Sequence, residues 1–439
     1  MGILSIRRGR SPNCSATGSV VGLALLSVTA AAVVVNAFAD RFAEWSKRDP
    51  AEPEGGEPRI RDEAFGAVVA VNNPPALLYV NERTAIETKA SGALVIGGDP
   101  AVPGALTAPT EVHLGVNDQC TAGCEGCYLD TRAGVGTSEP EAWMENLRQL
   151  AAMGVFEIAL GGGESLHTDL PLKIARYARS LGMVPNITTS GLALTEARAD
   201  ELAAVMGQVN ISLDGLGDTY AAVRGWKGES VALRGIQRLV AAGARVGVNT
   251  VIVQQNMEQL PTMARVLREL GVEEWQWLRF KPSGRGRAHY ERMRLDPDQA
   301  LRLWPIALQI FEQTGLTIRY DCAMIPFLAA HSPPLEALEL LGVGGCPGGD
   351  SLWTVSASGD WLPCSFAEGL VDGGSGDLAD RWRADEGLQS WRARADDPPE
   401  PCGSCTYRGV CRGGCRVVAA HLTGDSLAAD PECPRVMAS

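Results

Sequence analysis

Ten of the twelve cysteines in this 439-residue chain fall into two groups. Cys120, Cys124 and Cys127 form a C-x3-C-x2-C run, and Cys346, Cys364, Cys402, Cys405, Cys411, Cys415 and Cys433 crowd the last ninety-odd residues. Two such groups point to a protein built around iron and sulfide. The first group supplies three thiols where a cubane has four irons, which leaves one iron for a ligand other than cysteine. Competing readings are a zinc site with a distant fourth ligand or three loosely placed structural thiols, although zinc motifs usually pair two matched C-x2-4-C halves.

Bulk properties narrow the field. The length suggests two or three domains at roughly 100 to 200 residues each. Net charge is -13 and no run of Lys and Arg occurs, so no nucleic-acid partner is expected. The 50 glycines and 26 prolines are dispersed among apolar periodic segments, as in a globular chain.

The N-terminus argues for a different compartment. After Arg7, Arg8 and Arg10 comes an uncharged stretch from Ser11 to Ala39, apolar from Val20, with Ala37 and Ala39 at A-x-A spacing. A signal peptide or membrane anchor has this form, and such an export signal would suit a secreted disulfide protein. Reduced clusters would not work outside the cell, so the cysteine spacings argue for a cytoplasmic protein, with membrane association through residues 18–39. A start site placed too far upstream and a genuine anchor or buried helix are both open readings of this segment.

Along the chain, residues 1–58 read as the hydrophobic segment and a charged linker, and 59–110 as a small element with a hairpin over Ala67 to Asn81 that caps a sheet edge. From Glu111 the pattern becomes regular. Strand-like runs at Glu111–Asn117, Phe156–Leu160, Val184–Thr189, Val209–Leu213, Val246–Val253 and Trp275–Phe280 alternate with amphipathic helical stretches, several closed by glycine. Six strand-helix units predict an α/β fold, a partial (β/α)6 TIM-like barrel over 111–315, with ligands bound at the C-terminal ends of the strands. A further strand is possible at Leu316–Asp321. Residues 316–439 read as a small loop-rich iron-sulfur domain with too few apolar residues for an ordinary core.

The motifs fall where such a barrel binds ligands. The three-cysteine loop follows the first strand, and GGGES, with Gly162, Gly163 and Glu164, follows the second. Glycines let backbone approach a ligand closely, and a carboxylate accepts hydrogen bonds from an ammonium group. Strand three ends in TTSG, strand four carries SLDG, and Arg224 follows in AAVRG. Of the histidines, His167 is nearest the GGGES loop, where a surface position competes with one lining the site.

This arrangement resembles the radical S-adenosylmethionine superfamily. The resemblance implies a 4Fe-4S cluster on Cys120, Cys124 and Cys127, with the amino and carboxylate groups of S-adenosylmethionine at the fourth position, and reductive cleavage to methionine and a 5'-deoxyadenosyl radical. Gly162, Gly163 and Glu164 then hold the cofactor's amino group, Ser190, Ser212 and Asp214 face its ribose and methionine part, Arg224 pairs with its carboxylate, and Val251 belongs to an adenine wall on strand five. Asp214 has a competing reading as the cap of the following turn, and strand five one as ordinary buried structure. The superfamily usually carries an aromatic residue or His where Gly126 stands, and a proline where Ser165 stands.

The C-terminal cysteines are similar to the SPASM domain, which holds two auxiliary iron-sulfur clusters. By that resemblance Cys402, Cys405, Cys411 and Cys433 hold one, and Cys346, Cys364 and Cys415 hold the other, with Cys322 the candidate fourth ligand; a buried structural thiol is the alternative for Cys322. Enzymes of this type mostly modify a ribosomally made precursor peptide or protein and draw electrons from a flavodoxin or ferredoxin. One branch oxidises a sulfatase side chain and has an aspartate where Ser365 stands here. Rival expectations are radical modification of a small metabolite and a non-catalytic iron-sulfur electron carrier or scaffold.

Overall fold

The computed structural model describes residues 2–5, 57–72, 75–97, 105–130, 140–340, 343–371 and 376–438. The stretch 18–39 and Cys14 lie outside the described residues. Among those described, no helix is long and apolar enough to cross a membrane.

The chain divides into two compact units. The first comprises Met1–Thr107 with His331–Gly344. In it β1 (Gly2–Ser5), β2 (Arg59–Glu63), β3 (Gly66–Asn72), β4 (Pro75–Asn81) and β5 (Leu94–Val95) form a sheet in the order β1-β4-β3-β2-β5. The sequence predicts a hairpin capping an edge. Instead the antiparallel pair β3–β4 is flanked on both sides, and Ile60, Ala67, Val69 and Ala85 give this sheet a small core of its own.

The second unit comprises Ala108–Ala330 with Gly345–Ser439. Its strands β6 (Glu111–Asn117), β7 (Glu157–Gly162), β8 (Val184–Thr189), β9 (Gln208–Ser212), β10 (Val246–Ile252), β11 (Glu274–Arg279) and β12 (Thr317–Tyr320) run parallel, each beside the next. Successive parallel strands need crossover helices. The helix Pro140–Met153 shows how these pack: Trp143, Leu147 and Leu150, spaced four and three residues apart, are all buried. Gly154, Gly182 and Gly243, expected to close helices, have φ of 82°, 84° and 75°, a left-handed conformation that costs glycine little.

Strand alternation divides the sheet into two faces. Val112, Leu114, Ile158, Leu160, Val209, Ile211, Trp275 and Trp277 are buried in the core against the helices. Their neighbours His113, Thr188, Asn210, Ser212, Asn249 and Gln276 are half-buried on the other face, the inner surface of an open barrel.

The cysteine-rich segment joins this unit directly. Strand β13 (Leu352–Val355) pairs in parallel with β6, and β14 (Trp361–Leu362) turns back on β13. The low apolar content predicts a segment without an ordinary core. However, Trp353, Val355, Trp361, Leu378, Trp382 and Leu388 all belong to the barrel's own core cluster, with Trp353 packed on Trp361 and Trp382 at centroid distances of 4.2 and 5.5 Å. A few large aromatic side chains supply area that many small ones otherwise would.

Candidate functional site

The three-cysteine loop begins just after β6 and is joined through backbone to the loop after β7. Gly163 N donates to Asn117 O at 2.8 Å, and Glu164 N donates to Gln119 O at 2.8 Å. That approach explains the glycines. A Cβ on Gly162 would stand 2.2 Å from Asn117 O and one on Gly163 2.2 Å from Gln119 O, while Gly162 also has φ of 122°. The close neighbour that demands glycine here is therefore the cysteine loop's own backbone.

Cys124 is buried, Cys120 and Cys127 are half-buried, and all three are free thiols. Burial pushes the Cys120 thiol up, and nearby Cys124, Glu164 and Cys127 add to the effect. Cys124, Cys127 and Glu164 thus all lie within electrostatic reach of the Cys120 sulfur. A bound cation would reverse that shift, since it coordinates the thiolate.

Glu164 is held at the end of β8. Its Oε1 accepts from Leu166 N at 3.1 Å and from the Thr189 hydroxyl; its Oε2 accepts from Ser190 N at 2.9 Å and from the Ser190 hydroxyl. Four donors occupy the carboxylate's acceptor sites, and two are hydroxyls that can rotate away for an incoming ammonium. Thr189 joins the predicted Ser190 in this role. His167 is exposed and donates only its backbone N–H to Glu164 O at 3.1 Å.

Asp214, at the end of β9, accepts from Val251 N at 2.8 Å through Oδ1, and its Oδ2 lies 2.5 Å from Arg224 Nε. It thus ties β9 to β10 instead of capping the next turn. The Arg224 Nη1 reaches 3.7 Å from Cys124 Sγ. Burial alone would lower the Arg224 pKa, but Asp214 and then Cys124 raise it above its ordinary value, so it remains a cation beside the cysteine loop. Ser212 ends β9 half-buried on the inner face, opposite Asn249 in register, and Val251 follows two residues later on β10, also half-buried. At Gly126 an added Cβ would lie 2.9 Å from Met293 Cε and 3.2 Å from Phe280 Cε2. These two side chains fill the space a residue there would take.

The remaining cysteines gather into two sets. Burial pushes the Cys322 thiol well up, and Asp321, Cys346 and Cys415 reinforce it; burial likewise takes Cys364 up to about 12, with Cys346 and Cys415 adding. Cys322 and Cys364 thus each lie within electrostatic reach of Cys346 and Cys415. In the other set, burial pushes Cys402 up with help from Cys433 and Cys405, and pushes Cys411 to about 12 with help from Cys433 and Cys402. Among the described residues no three His, Cys, Asp or Glu side chains converge on a point able to chelate a single ion. Cubane ligands sit wider apart, each on its own iron. Free thiols, buried or half-buried, in groups of three, four and four fit such clusters.

Three features escaped sequence reading. Lys281 pairs with Asp321 beside the Cys322 set. His113 Nδ1 lies 3.0 Å from Ser365 Oγ. Tyr128, next to Cys127, packs on Phe366 at 5.2 Å between centroids. Position alone offered a partial signal, since each residue is near a cysteine or on an inward strand position.

No family model matches the chain. The PqqA peptide cyclase of Xanthomonas campestris pv. campestris (strain 8004) is 30% identical over 342 residues, covering 74% of this chain and 87% of that protein. Pre-heme d1 synthase of Dinoroseobacter shibae is 28% identical over 341 residues, 72% of this chain and 83% of that one. Among solved structures, Streptococcus suis SuiB bound to S-adenosylmethionine superposes with a TM-score of 0.70 at 17% identity, covering 86% of this chain and 99% of SuiB. Fold and site together define a class, the parallel-barrel enzymes whose chemistry begins at a loop of three cysteines. Within it, this chain belongs to the radical S-adenosylmethionine family that includes PqqA peptide cyclase.

Proposed function

We propose that this enzyme modifies a side chain of a ribosomally made peptide by removing hydrogen from an unactivated carbon. In this reading Cys120, Cys124 and Cys127 hold a 4Fe-4S cluster, and Gly162, Gly163, Glu164, Ser190, Ser212, Asp214, Arg224 and Val251 frame S-adenosylmethionine. When bound, cluster and cofactor supply an electron and a 5'-deoxyadenosyl radical. The protein's part is placement. Glu164 offers carboxylate oxygens to an ammonium group once its hydroxyl donors turn away, the Asp214–Arg224 pair keeps a cation beside Cys124, and the half-buried inner face of the barrel receives the peptide side chain.

The same reading assigns Cys346, Cys364, Cys415 and Cys322 to one auxiliary iron-sulfur cluster and Cys402, Cys405, Cys411 and Cys433 to a second. A flavodoxin or ferredoxin supplies electrons, in the cytoplasm. The peptide substrate is supported by the name of the cyclase relative and by the matched length.

The observation that carries the proposal is the backbone zipper between the cysteine loop and GGGES, which builds one site from two motifs. Anaerobically reconstituted protein given dithionite and S-adenosylmethionine should release 5'-deoxyadenosine, and Cys124→Ala should not. Full iron loading without any release would refute the radical reading. Mass spectrometry of short peptides encoded beside the gene, co-expressed with the enzyme, tests the substrate class; unmodified peptides alongside turnover on a small metabolite would overturn it.

A further inference from the structure

Two adjacent strands end in a buried ion pair. Lys281 lies just past β11 and Asp321 just past β12, with side-chain exposures of 5% and 8%. Asp321 also accepts from Arg279 N at 3.1 Å and from the Cys322 thiol at 3.2 Å. The Lys281 ammonium stands 4.3 Å over the Phe366 ring, two residues from Cys364. Beyond the pair, Cys415 N donates to Asp430 Oδ2 at 2.9 Å, and Asp430 is itself paired with Arg279. Charged groups from β11, β12 and the C-terminal segment thus surround one set of four thiols.

We propose that Lys281 and Asp321 set the reduction potential of the iron-sulfur cluster held by Cys322, Cys346, Cys364 and Cys415. The inference rests on the auxiliary-cluster assignment above. A cubane with four thiolate ligands is anionic and gains further negative charge on reduction, so a nearby cation favours the reduced state and a nearby anion opposes it. In a water-poor site such charges act with little screening. When Cys322 coordinates iron it no longer donates to Asp321. Lys281 is then the cation that neutralises that carboxylate, and its ammonium lies over the ring of Phe366, two residues from Cys364. A pair too distant or too well screened to act on the cluster would leave the potential unchanged.

The test uses the full chain, reconstituted anaerobically and titrated potentiometrically with electron paramagnetic resonance as readout. Cys322→Ser marks the transition that belongs to this set. At the wild-type midpoint, Lys281→Met should lower the reduced-to-oxidised ratio roughly tenfold or more, equivalent to about 59 mV for one electron. Asp321→Asn should shift it the other way, and Lys281→Arg should stay near wild type. Opposite shifts from removing opposite charges are a signature that a merely structural pair would not give. Unmoved potentials in Lys281→Met and Asp321→Asn at full iron content overturn the proposal; should Lys281→Met fail to load iron, an unmoved Asp321→Asn overturns it alone. A wild-type protein with iron and sulfide for only one cubane overturns both this proposal and the three-cluster assignment, whereas three cubanes with unmoved potentials overturn only the role of the pair.

Discussion

Arg224 and Asp214 form a buried ion pair at 2.5 Å, with side-chain exposures of 17% and 4%, and the same guanidinium extends to 3.7 Å from the Cys124 sulfur. One side chain therefore links the end of β9 to the cysteine loop. Arg224→Met keeps much of the apolar stem but leaves Asp214 as an uncompensated buried charge. Breaking such a pair costs about 3–5 kcal/mol. Urea denaturation under reducing conditions should register this loss, and 5'-deoxyadenosine release should fall with it. Adding Asp214→Asn to Arg224→Met removes the orphaned charge and should recover part of the stability.

Gly163→Ala drives a Cβ to 2.2 Å from Gln119 O. Backbone cannot yield as a flexible side chain would, so the Glu164 N to Gln119 O hydrogen bond opens. Overpacking of this sort costs about 1–3 kcal/mol, and here it separates the two loops of one site. Equilibrium dialysis should show S-adenosylmethionine binding weakened by roughly tenfold or more, since 1.4 kcal/mol is a factor of ten. Gly344→Ala is the control, because a Cβ there meets nothing within 4 Å.

Much of this was readable in the chain itself. Six of the seven barrel strands announce themselves by apolar runs between glycine-closed helices, and cysteine spacing sets the first three thiols apart from the C-terminal seven, whose division into two sets came only from the family resemblance. Strand β13 is different: four residues, LWTV, are too few for period-2 alternation to stand out, and its pairing with β6 joins positions some 240 residues apart. Tryptophans 353, 361 and 382 are so few that composition suggests no core, although each buries a large area. Arg224 was visible as a cation but its partners were not. Ion pairing to Asp214 and Cys124 depends on strand register and loop path, which are set by tertiary contacts. Lys281 and Asp321 meet for the same reason, from the ends of adjacent strands 40 residues apart.

Glu157 makes the stability of the fold depend on pH. It is 5% exposed at the start of β7, with Asn186 Nδ2 donating to it at 3.0 Å. Burial, and then the neighbouring Glu111 carboxylate, raise its pKa from 4.5 to about 7. A carboxyl raised in the folded state binds its proton more tightly there than in the unfolded chain. Its contribution is fully present below pH 4.5 and is lost as pH rises through about 7. Wild type should therefore lose on the order of 3 kcal/mol relative to Glu157→Gln across that window. Paired urea titrations at several pH values check this, and parallel curves for the two proteins would contradict it.

Arg279 carries the junction between the barrel and the C-terminal cysteines. From the end of β11 its Nη1 and Nη2 bond Asp430 at 2.6 and 3.0 Å, Nη2 also reaches Glu432 at 2.8 Å, and Nη1 bonds Ala323 O at 2.9 Å. The guanidinium lies 4.7 Å over the Phe327 ring. Asp430 in turn accepts from Cys415 N and takes part in the charge environment of Cys411 and Cys433. Lysine could not reproduce this bidentate, stacked geometry. Arg279→Lys should therefore lose stability along with Arg279→Met, which leaves the buried Asp430 carboxylate without its cation at a cost of about 3–5 kcal/mol, while Glu432 keeps Arg294 at 3.0 Å. Because both cysteine sets meet around Asp430, iron and sulfide should fall toward the content of the first loop alone. Cofactor-dependent spectral change at Cys120, Cys124 and Cys127 should persist in the same samples. Full iron retention in Arg279→Met would mean that the cysteine segment holds its shape without the barrel's cation.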